Sequence, residues 1–82
     1  MTRKRFGKLM MGKGASRNIV REIVKTMREM KETEDLLRHY NRIGVKHREV
    51  EKLYKYNTLK IRLCSLFKVS MRQQQEYAEK MA

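Results

Sequence analysis

The chain has 82 residues, no proline, one cysteine and a net charge of +12. This length allows one domain with a modest hydrophobic core, and the many Leu, Met, Lys, Arg, Glu and Gln residues predict an all-α fold. The lone cysteine, Cys64, excludes an intrachain disulfide and is typical of a cytoplasmic protein. No apolar run approaches the ~20 residues that cross a bilayer, so we expect no membrane partner.

The positive charge is segregated along the chain. Residues 1–21 carry seven Lys or Arg and residues 52–75 carry six, and neither segment contains an acidic residue. Residues 22–51 between them are neutral, with seven bases and seven acids. Solubility alone does not require this segregation, because interspersed charges of both signs also provide it. The two basic segments therefore predict surfaces that bind a polyanion, and they exclude an acidic mimic of nucleic acid.

The N-terminal half of the chain predicts two helices. Thr2 is suited to cap a short basic helix that ends near Met11, where the glycine-rich residues 12–14 stop it. Ser16 is a good N-cap for a second helix, whose apolar residues recur at helical spacing. Its predicted inner face comprises Ile19, Val20, Ile23, Val24, Met27 and Met30, and the cations largely off that face are Arg17, Arg21, Lys25 and Arg28.

Residues 17–43 are compatible with one helix or with two. Thr33 is followed by two acidic residues, which favour the first turn of a helix, so a new helix can begin there. The alternative is one continuous helix with a kink near Lys31. In either case we expect an inward-facing set before Gly44 ends the segment. That set comprises Leu36, Leu37, Tyr40 and Ile43.

The segment after Gly44 predicts a helix that begins near Lys46 and buries Val50, Leu53 and Tyr54. Residues 59–67 follow and are apolar nearly all round, which predicts a place in the middle of the fold or at a dimer interface.

The end of the chain predicts a separate last helix. Ser70 and Gln73 have the spacing of a capping box, so we expect a helix over residues 71–81. The predicted architecture is a compact bundle of four to five short helices, forming one domain over residues 1–82.

No pattern in the chain predicts catalysis, a metal site or a cofactor. Residues 7–14 nearly match a phosphate-binding loop, but they lack its final hydroxyl and the strand that must precede it. His39 and His47 do not have the spacing of a helical zinc pair. Cys64 lies in an apolar stretch and is predicted to be a buried, unreactive thiol. We therefore expect a protein that is not an enzyme.

The region around Gly44 resembles a helix-turn-helix. A pattern that starts at Leu36 places the glycine between apolar residues and adds two apolar positions in the second helix. The matching apolar residues are Ile43, Val45, Val50 and Leu53. Two positions depart from the family pattern, because Tyr40 replaces a small residue and His39 replaces an apolar one. The resemblance implies a helix-turn-helix-like DNA-binding element.

The opening segment TRKRFGKLMMGKGASRN also resembles the N-termini of small phage and prophage proteins of Gram-positive bacteria. This resemblance implies a phage-encoded accessory protein. That class includes small regulators and inhibitors of host defence, among them anti-CRISPR proteins.

The main hypothesis is a small non-catalytic regulator that binds nucleic acid, with duplex DNA favoured over RNA because no aromatic RNA-binding platform is recognisable. A helix from Lys46 to about Tyr56 would enter the major groove, and N-terminal cations would hold the flanking backbone. The predicted nucleic-acid-binding residues are Arg3, Lys4, Arg5, Lys8, Lys46, His47, Arg48, Lys52 and Lys55.

Two alternatives remain open. One is a phage-encoded anti-defence inhibitor whose basic face binds a nuclease or its guide RNA or DNA. The other is an oligomerising structural helical protein that dimerises through residues 59–67. All three hypotheses place the protein in the cytoplasm, which would be that of the host cell for a phage-encoded protein.

Overall fold

The computed structural model describes residues 2–82 and contains three α-helices over that range. They are α1 (Arg3–Gly12), α2 (Arg17–Ile43) and α3 (Lys46–Met81). The all-α class is confirmed, whereas the expectation of four to five short helices is wrong. α2 has 27 residues and α3 has 36, because neither contains a proline or a glycine that would interrupt it.

α2 and α3 pack side by side as an antiparallel hairpin. Next to the turn, Asn41 Nδ2 donates a hydrogen bond to Glu49 Oε1 (2.9 Å), and at the other end Ser16 N donates one to Gln73 Oε1 (2.8 Å). The molecule is 55 Å long but only 21 and 15 Å across, with a radius of gyration of 16.0 Å. A compact domain of this length would have a radius of about 12 Å, so the predicted compact bundle is wrong.

The helices begin and end largely where local capping signals predicted. The Thr2 hydroxyl accepts a hydrogen bond from Arg5 N (3.2 Å) at the start of α1, and the Ser16 hydroxyl accepts one from Ile19 N (3.4 Å) at the start of α2. Gly44 ends α2 with a φ of +75°, in the left-handed region that favours glycine. The first helix, the second N-cap and the glycine turn are therefore confirmed.

The line of side chains between α2 and α3, which we call the seam, has heptad spacing. Its buried and half-buried residues recur alternately three and four apart, as in coiled coils. The α2 set is Ile19, Ile23, Thr26, Met30, Thr33, Leu37 and Tyr40, and the α3 set is Glu49, Lys52, Tyr56, Leu59, Leu63, Leu66, Ser70 and Gln73. This register explains why two long helices lie along each other in the molecule.

The seam is partly polar, and its buried hydroxyls are satisfied. Thr26, Thr33 and Ser70 are almost fully buried. The two threonine hydroxyls each donate a hydrogen bond (2.7 Å) to the carbonyl one turn earlier, and the Ser70 hydroxyl accepts one from Gln74 Nε2 (2.9 Å). These bonds remove most of the cost of burying polar atoms, but the seam gains less from apolar burial than an all-aliphatic one would.

Residues 17–43 form one helix, which resolves the alternative left open by the sequence. Thr33 lies in its middle, within the seam. Leu37 and Tyr40 are half-buried as predicted, whereas Leu36 and Ile43 remain 38% and 54% exposed. The prediction was wrong for these last two because only one neighbouring helix covers this part of α2.

The first turns of α3 present a different face to α2 from the one predicted. Val50, Leu53 and Tyr54 were expected to be buried, but they are 65%, 49% and 78% exposed. Glu49 and Lys52 are half-buried and occupy the seam instead. Long polar side chains can do this because their aliphatic stems pack on the partner helix while their charged ends reach water.

The C-terminal part of the chain is not a separate helix, because α3 continues through Ser70 to Met81. Gln73 caps α2 through Ser16 rather than closing a capping box on its own helix. Within residues 59–67, Leu59 is buried but Cys64 is exposed, so the predicted buried thiol is wrong.

The hydrophobic core lies at the end of the hairpin that α1 covers. Phe6 of α1 meets Phe67 of α3 edge to face, with 6.2 Å between ring centroids. The buried apolar residues of this core are Met10, Ala15, Val20 and Ile23. The predicted inner face of the second helix is thus confirmed at Val20 and Ile23, and α1 is held against both long helices.

Candidate nucleic-acid interface

A close approach between α1 and α2 builds the candidate site. Gly7 is buried against α2, and a Cβ atom added there would lie 3.1 Å from Val20 Cγ1 and 3.9 Å from Val24 Cγ2. A larger residue would push the two helices apart. Gly7 therefore allows the side chains on one flank of α1 to stand beside those of the first half of α2.

Between these helices lies an open groove of about 490 Å³, which we call the basic groove. Its floor is apolar and is formed by Gly7, Met11, Val20 and Val24. Its walls carry only cations: Arg3, Lys4 and Lys8 from α1, and Arg21, Lys25 and Arg28 from α2. Among the described residues 2–82, no acidic or aromatic side chain lines it. Six positive charges converge on one channel, an arrangement that attracts polyanions.

The cations of the basic groove are exposed and are not used in ion pairs within residues 2–82. The ion pairs found in that range join Lys31 to Asp35, Arg38 to Glu34, and Arg48 to Glu51. All of these residues lie between positions 31 and 51. The charges of the groove are therefore available to an external anion.

The hairpin brings the two basic segments of the sequence to the same end of the molecule. The bond between Ser16 and Gln73 sets the first turns of α2 beside the last third of α3. Residues 1–30 and 60–82 together hold fourteen Lys or Arg and four acids, a net charge of +10. Residues 31–59, around the turn, have a net charge of only +2. Most of the positive potential is thus concentrated around α1.

The predicted site residues fall into two groups at opposite ends of the hairpin. Arg3, Lys4 and Lys8 line the basic groove, whereas Arg5 is exposed but outside its lining. The other group, Lys46, His47, Arg48, Lys52 and Lys55, lies in the first turns of α3 beside the hairpin turn. The rise of 1.5 Å per residue along α2 separates the groups by about 35 Å. They do not form one continuous site.

Individual members of the second group also differ from the expectation that they all face outward. Lys52 is half-buried in the seam, and Arg48 Nη1 lies 3.6 Å from Glu51 Oε2. The residues that the site prediction missed are Arg21, Lys25 and Arg28. Their regular spacing off the apolar face was visible in the sequence, but nothing there showed that α1 lies next to them.

The turn resembles that of a helix-turn-helix, but the helices around it do not cross as they do in that motif. A DNA-binding helix-turn-helix joins two helices at about 90–120°, so that the second can enter the major groove. Here α2 and α3 are antiparallel, and the predicted recognition helix is the first part of the 36-residue α3. Its inner face lies along α2.

A second, apolar groove of about 970 Å³ lies between the end of α1 and the last third of α3. Phe67, Met71, Tyr77 and Ala78 line it, with Lys13, Lys68 and Arg72 among the polar residues of its wall. In the part of the chain that the structure describes, no acidic side chain lines this groove. Both flanks of α1 therefore carry positive charge.

Residues 2–82 contain neither a cluster of metal ligands nor a membrane-spanning helix. No group of three or more His, Cys, Asp or Glu side chains in this range is arranged to hold a metal ion. None of the three helices has a stretch that is both apolar enough and long enough to span a membrane. Comparisons of the chain with protein-family models, with curated proteins and with solved structures found no match.

We expect Gly7→Leu to lower the thermal stability and weaken the docking of α1, because the added side chain meets Val20 on the facing helix. Overpacking of this kind typically costs about 1–3 kcal/mol. Gly12→Leu in the same helix is the matched control, since nothing lies within 4 Å of a Cβ atom added there. Thermal melts followed by circular dichroism compare the two variants. Equal melting temperatures would show that α1 does not depend on the contact at Gly7.

Proposed function

We propose that this protein binds nucleic acid without catalysis, through phosphate contacts made by the basic groove. The observation that carries the proposal is the convergence of six Lys and Arg side chains on one groove. Within residues 2–82, none of the six takes part in an ion pair and no acidic side chain lines the groove. Lys and Arg side chains supply the sequence-independent part of nucleic-acid binding by replacing counterions along the phosphate backbone. We further propose that this occurs in the cytoplasm.

The shape of the groove favours a polymer over a small anion. The three cations from α2 follow one another by about a turn of helix, which spreads them over roughly 10 Å. Three more cations face them from α1. Two or three of these side chains would satisfy one isolated phosphate, whereas all six can be used by consecutive phosphates of a backbone.

The composition of the groove favours a duplex over an unpaired strand. Proteins that bind single strands stack the bases on aromatic side chains. The lining of the basic groove contains none. Duplex backbones need only positive charge and hydrogen-bond donors, both of which Lys and Arg supply. We therefore propose duplex DNA as the ligand, bound with little sequence preference.

The test is a comparison of two triple charge reversals. Lys8→Glu/Arg21→Glu/Lys25→Glu changes the basic groove, and Arg42→Glu/Lys46→Glu/Lys55→Glu changes exposed cations at the turn end by the same total charge. We expect the groove variant to lose at least about 100-fold in affinity for duplex DNA, about 1 kcal/mol for each lost contact. The control should lose much less, since it retains the groove.

Fluorescence anisotropy with a labelled duplex, at two salt concentrations, measures both variants. Circular dichroism must show that both keep their helices. An equal loss in both would mean that only the net charge matters, and a larger loss in the control would move the site to the start of α3. If the wild-type chain does not bind duplex DNA, the proposal is wrong.

A second candidate function is supported by the exposed apolar side chains of α3, which include Val50, Leu53 and Ile61. Such a surface suits a protein partner better than a phosphate backbone. It is compatible with an anti-defence inhibitor that binds a nuclease or its guide RNA or DNA, and with a self-associating helical protein. Binding of a nuclease effector by a chain that has no affinity for duplex DNA would favour the inhibitor.

A further inference from the structure

The side of α3 that faces away from α2 carries a regular set of exposed residues, which we call the outer stripe. Its members are Val50, Leu53, Asn57, Ile61 and Cys64, three or four positions apart. Val50, Leu53 and Ile61 are 65%, 49% and 69% exposed. This spacing places them on one helical face, as in a coiled-coil seam, but no helix within residues 2–82 covers them.

The outer stripe is symmetric about Asn57. Leu53 and Ile61 lie four positions before and after it, and Val50 and Cys64 lie seven positions before and after it. An interface with two-fold symmetry must be self-complementary, since the same surface serves both copies. If two α3 helices pair antiparallel with Asn57 on the axis, Leu53 of each meets Ile61 of the other. Val50 of each then meets Cys64 of the other.

We propose that two copies of this chain pair through their outer stripes in this antiparallel arrangement. The result is an assembly of six helices in which the two α3 helices are central. Residues 59–67 as a whole cannot be the interface, because Leu59, Leu63 and Leu66 face α2 within the same chain. Of that segment, only Ile61 and Cys64 belong to the outer stripe.

Asn57, at the centre of the interface, fixes the relative orientation of the two α3 helices. A polar Asn within an apolar helix seam sets the register and the partner, at some cost in stability. Its side chain offers both a donor and an acceptor, so two copies of it on a two-fold axis can bond to each other. In other registers the amide would face Leu53 or Ile61 and lose its partner.

Charges at the two ends of the outer stripe oppose the pairing. Lys46 and Lys68, eleven positions on either side of Asn57, would face each other at the rims. Since each copy also carries +12, we expect added salt to strengthen the pairing.

The outer stripe is fifteen residues long, from Val50 to Cys64, and extends over about 21 Å of helix. This is well below the size of an obligate interface, so we expect a dissociation constant in the micromolar range.

Disulfide cross-linking in the full chain tests whether residue 57 of one copy lies next to residue 57 of the other. In a Cys64→Ser background, Asn57→Cys places one thiol on the proposed axis, where it can meet only its own copy. Lys55→Cys in the same background is the control, since it is exposed but outside the outer stripe. We expect mild oxidation to convert Asn57→Cys rapidly to a covalent dimer and to leave Lys55→Cys largely monomeric. Equal cross-linking of the two would overturn the proposal.

Sedimentation equilibrium without nucleic acid measures the dissociation constant of the dimer, and this test does not depend on the proposed function. We expect the wild-type mass to rise with concentration from 10.0 kDa towards twice that value. Ile61→Lys should remain monomeric with an unchanged helical spectrum, because this side chain is exposed in the monomer.

Lys68→Glu should pair more tightly than wild type, because the antiparallel register sets it opposite Lys46 of the other copy, whereas Lys55→Glu makes the same change of charge at an exposed position outside the outer stripe. A wild-type mass of 10.0 kDa at every concentration would refute the dimer, as would an Ile61→Lys variant that still associates. Equal pairing by Lys68→Glu and Lys55→Glu would refute the antiparallel register.

Discussion

Ile23→Asp should unfold the protein or bring it close to unfolding at room temperature. Ile23 is fully buried, in the seam and in the core beneath α1. An unpaired carboxylate buried there costs several kcal/mol, whether it ionises or takes up a proton. A domain of this length has a total stability of roughly 4–12 kcal/mol, and a partly polar seam places this one low in that range. The substitution removes most of that stability.

Ile43→Asp is the matched control for this experiment. It makes the same substitution in the same helix, at a position that is 54% exposed. Its expected cost is below about 1 kcal/mol and comes mainly from a negative charge at the C-terminal end of α2. Urea unfolding followed by circular dichroism gives both free energies. If the two variants unfold at the same urea concentration, the burial of Ile23 does not contribute to the stability of the fold.

Local signals in the sequence predicted the early helix boundaries well. Thr2 and Ser16 cap helices through hydrogen bonds to amides three residues later, so sequence proximity is enough to identify them. Gly44 adopts a left-handed conformation that few other residues adopt easily. None of these features depends on what the rest of the chain does.

The boundaries that failed depend on contacts distant in sequence. Ser70 and Gln73 resemble a local cap, but Ser70 is buried in the seam and Gln73 bonds Ser16, which is 57 residues away. Once the helix is held on α2 by packing, a local N-cap signal cannot end it. Whether a new helix begins at Ser70 or α3 continues through it is decided by the position of α2, which the sequence pattern did not reveal.

The buried face of α3 could not be predicted for the same reason. Val50 and Leu53 are the most apolar residues of its first turns, and they are exposed. Glu49 and Lys52 lie in register with Leu59, so a continuous heptad places them in the seam. The heptad register over the whole of α3 therefore outweighs the tendency of the Val50 and Leu53 side chains to be buried. The apolar residues displaced in this way make up part of the outer stripe.

Half of the candidate site followed from the sequence. Arg3, Lys4 and Lys8 stood out because the first basic segment has no acid, and they line the groove. Arg21 and Lys25 join them only because Gly7 lets α1 lie close to α2. A contact between two helices that are separated by a turn has no pattern of its own in the sequence.

The proposed dimer has a consequence for the proposed ligand. Gly14 packs on Tyr77, at the end of the hairpin that α1 covers, twenty positions from Asn57. This places each basic end about 30 Å from the proposed axis, and the two ends about 60 Å apart. Both basic grooves can contact one duplex only if it is longer than about 18 base pairs. Two linked contacts raise the overall affinity without any new interaction.

The affinity for duplex DNA should fall steeply with salt, because six phosphate contacts release six counterions. The expected slope of log K against log salt is about −5, a loss of about a thousandfold between 50 and 200 mM. Arg21→Ala should make that slope shallower by about one unit and weaken every duplex equally, since a phosphate contact carries no sequence information.

Arg48→Ala completes this comparison, because it removes a cation about 35 Å from the basic groove. Arg48 is 53% exposed and lies 3.6 Å from Glu51, so its loss should leave both the slope and the affinity nearly unchanged. Anisotropy titrations with a random duplex and with a duplex selected for tight binding measure both variants. A loss of about 1–3 kcal/mol confined to the selected duplex in Arg48→Ala would mean that the start of α3 reads base pairs. The groove would then be an auxiliary contact, and the interface would extend along the whole hairpin.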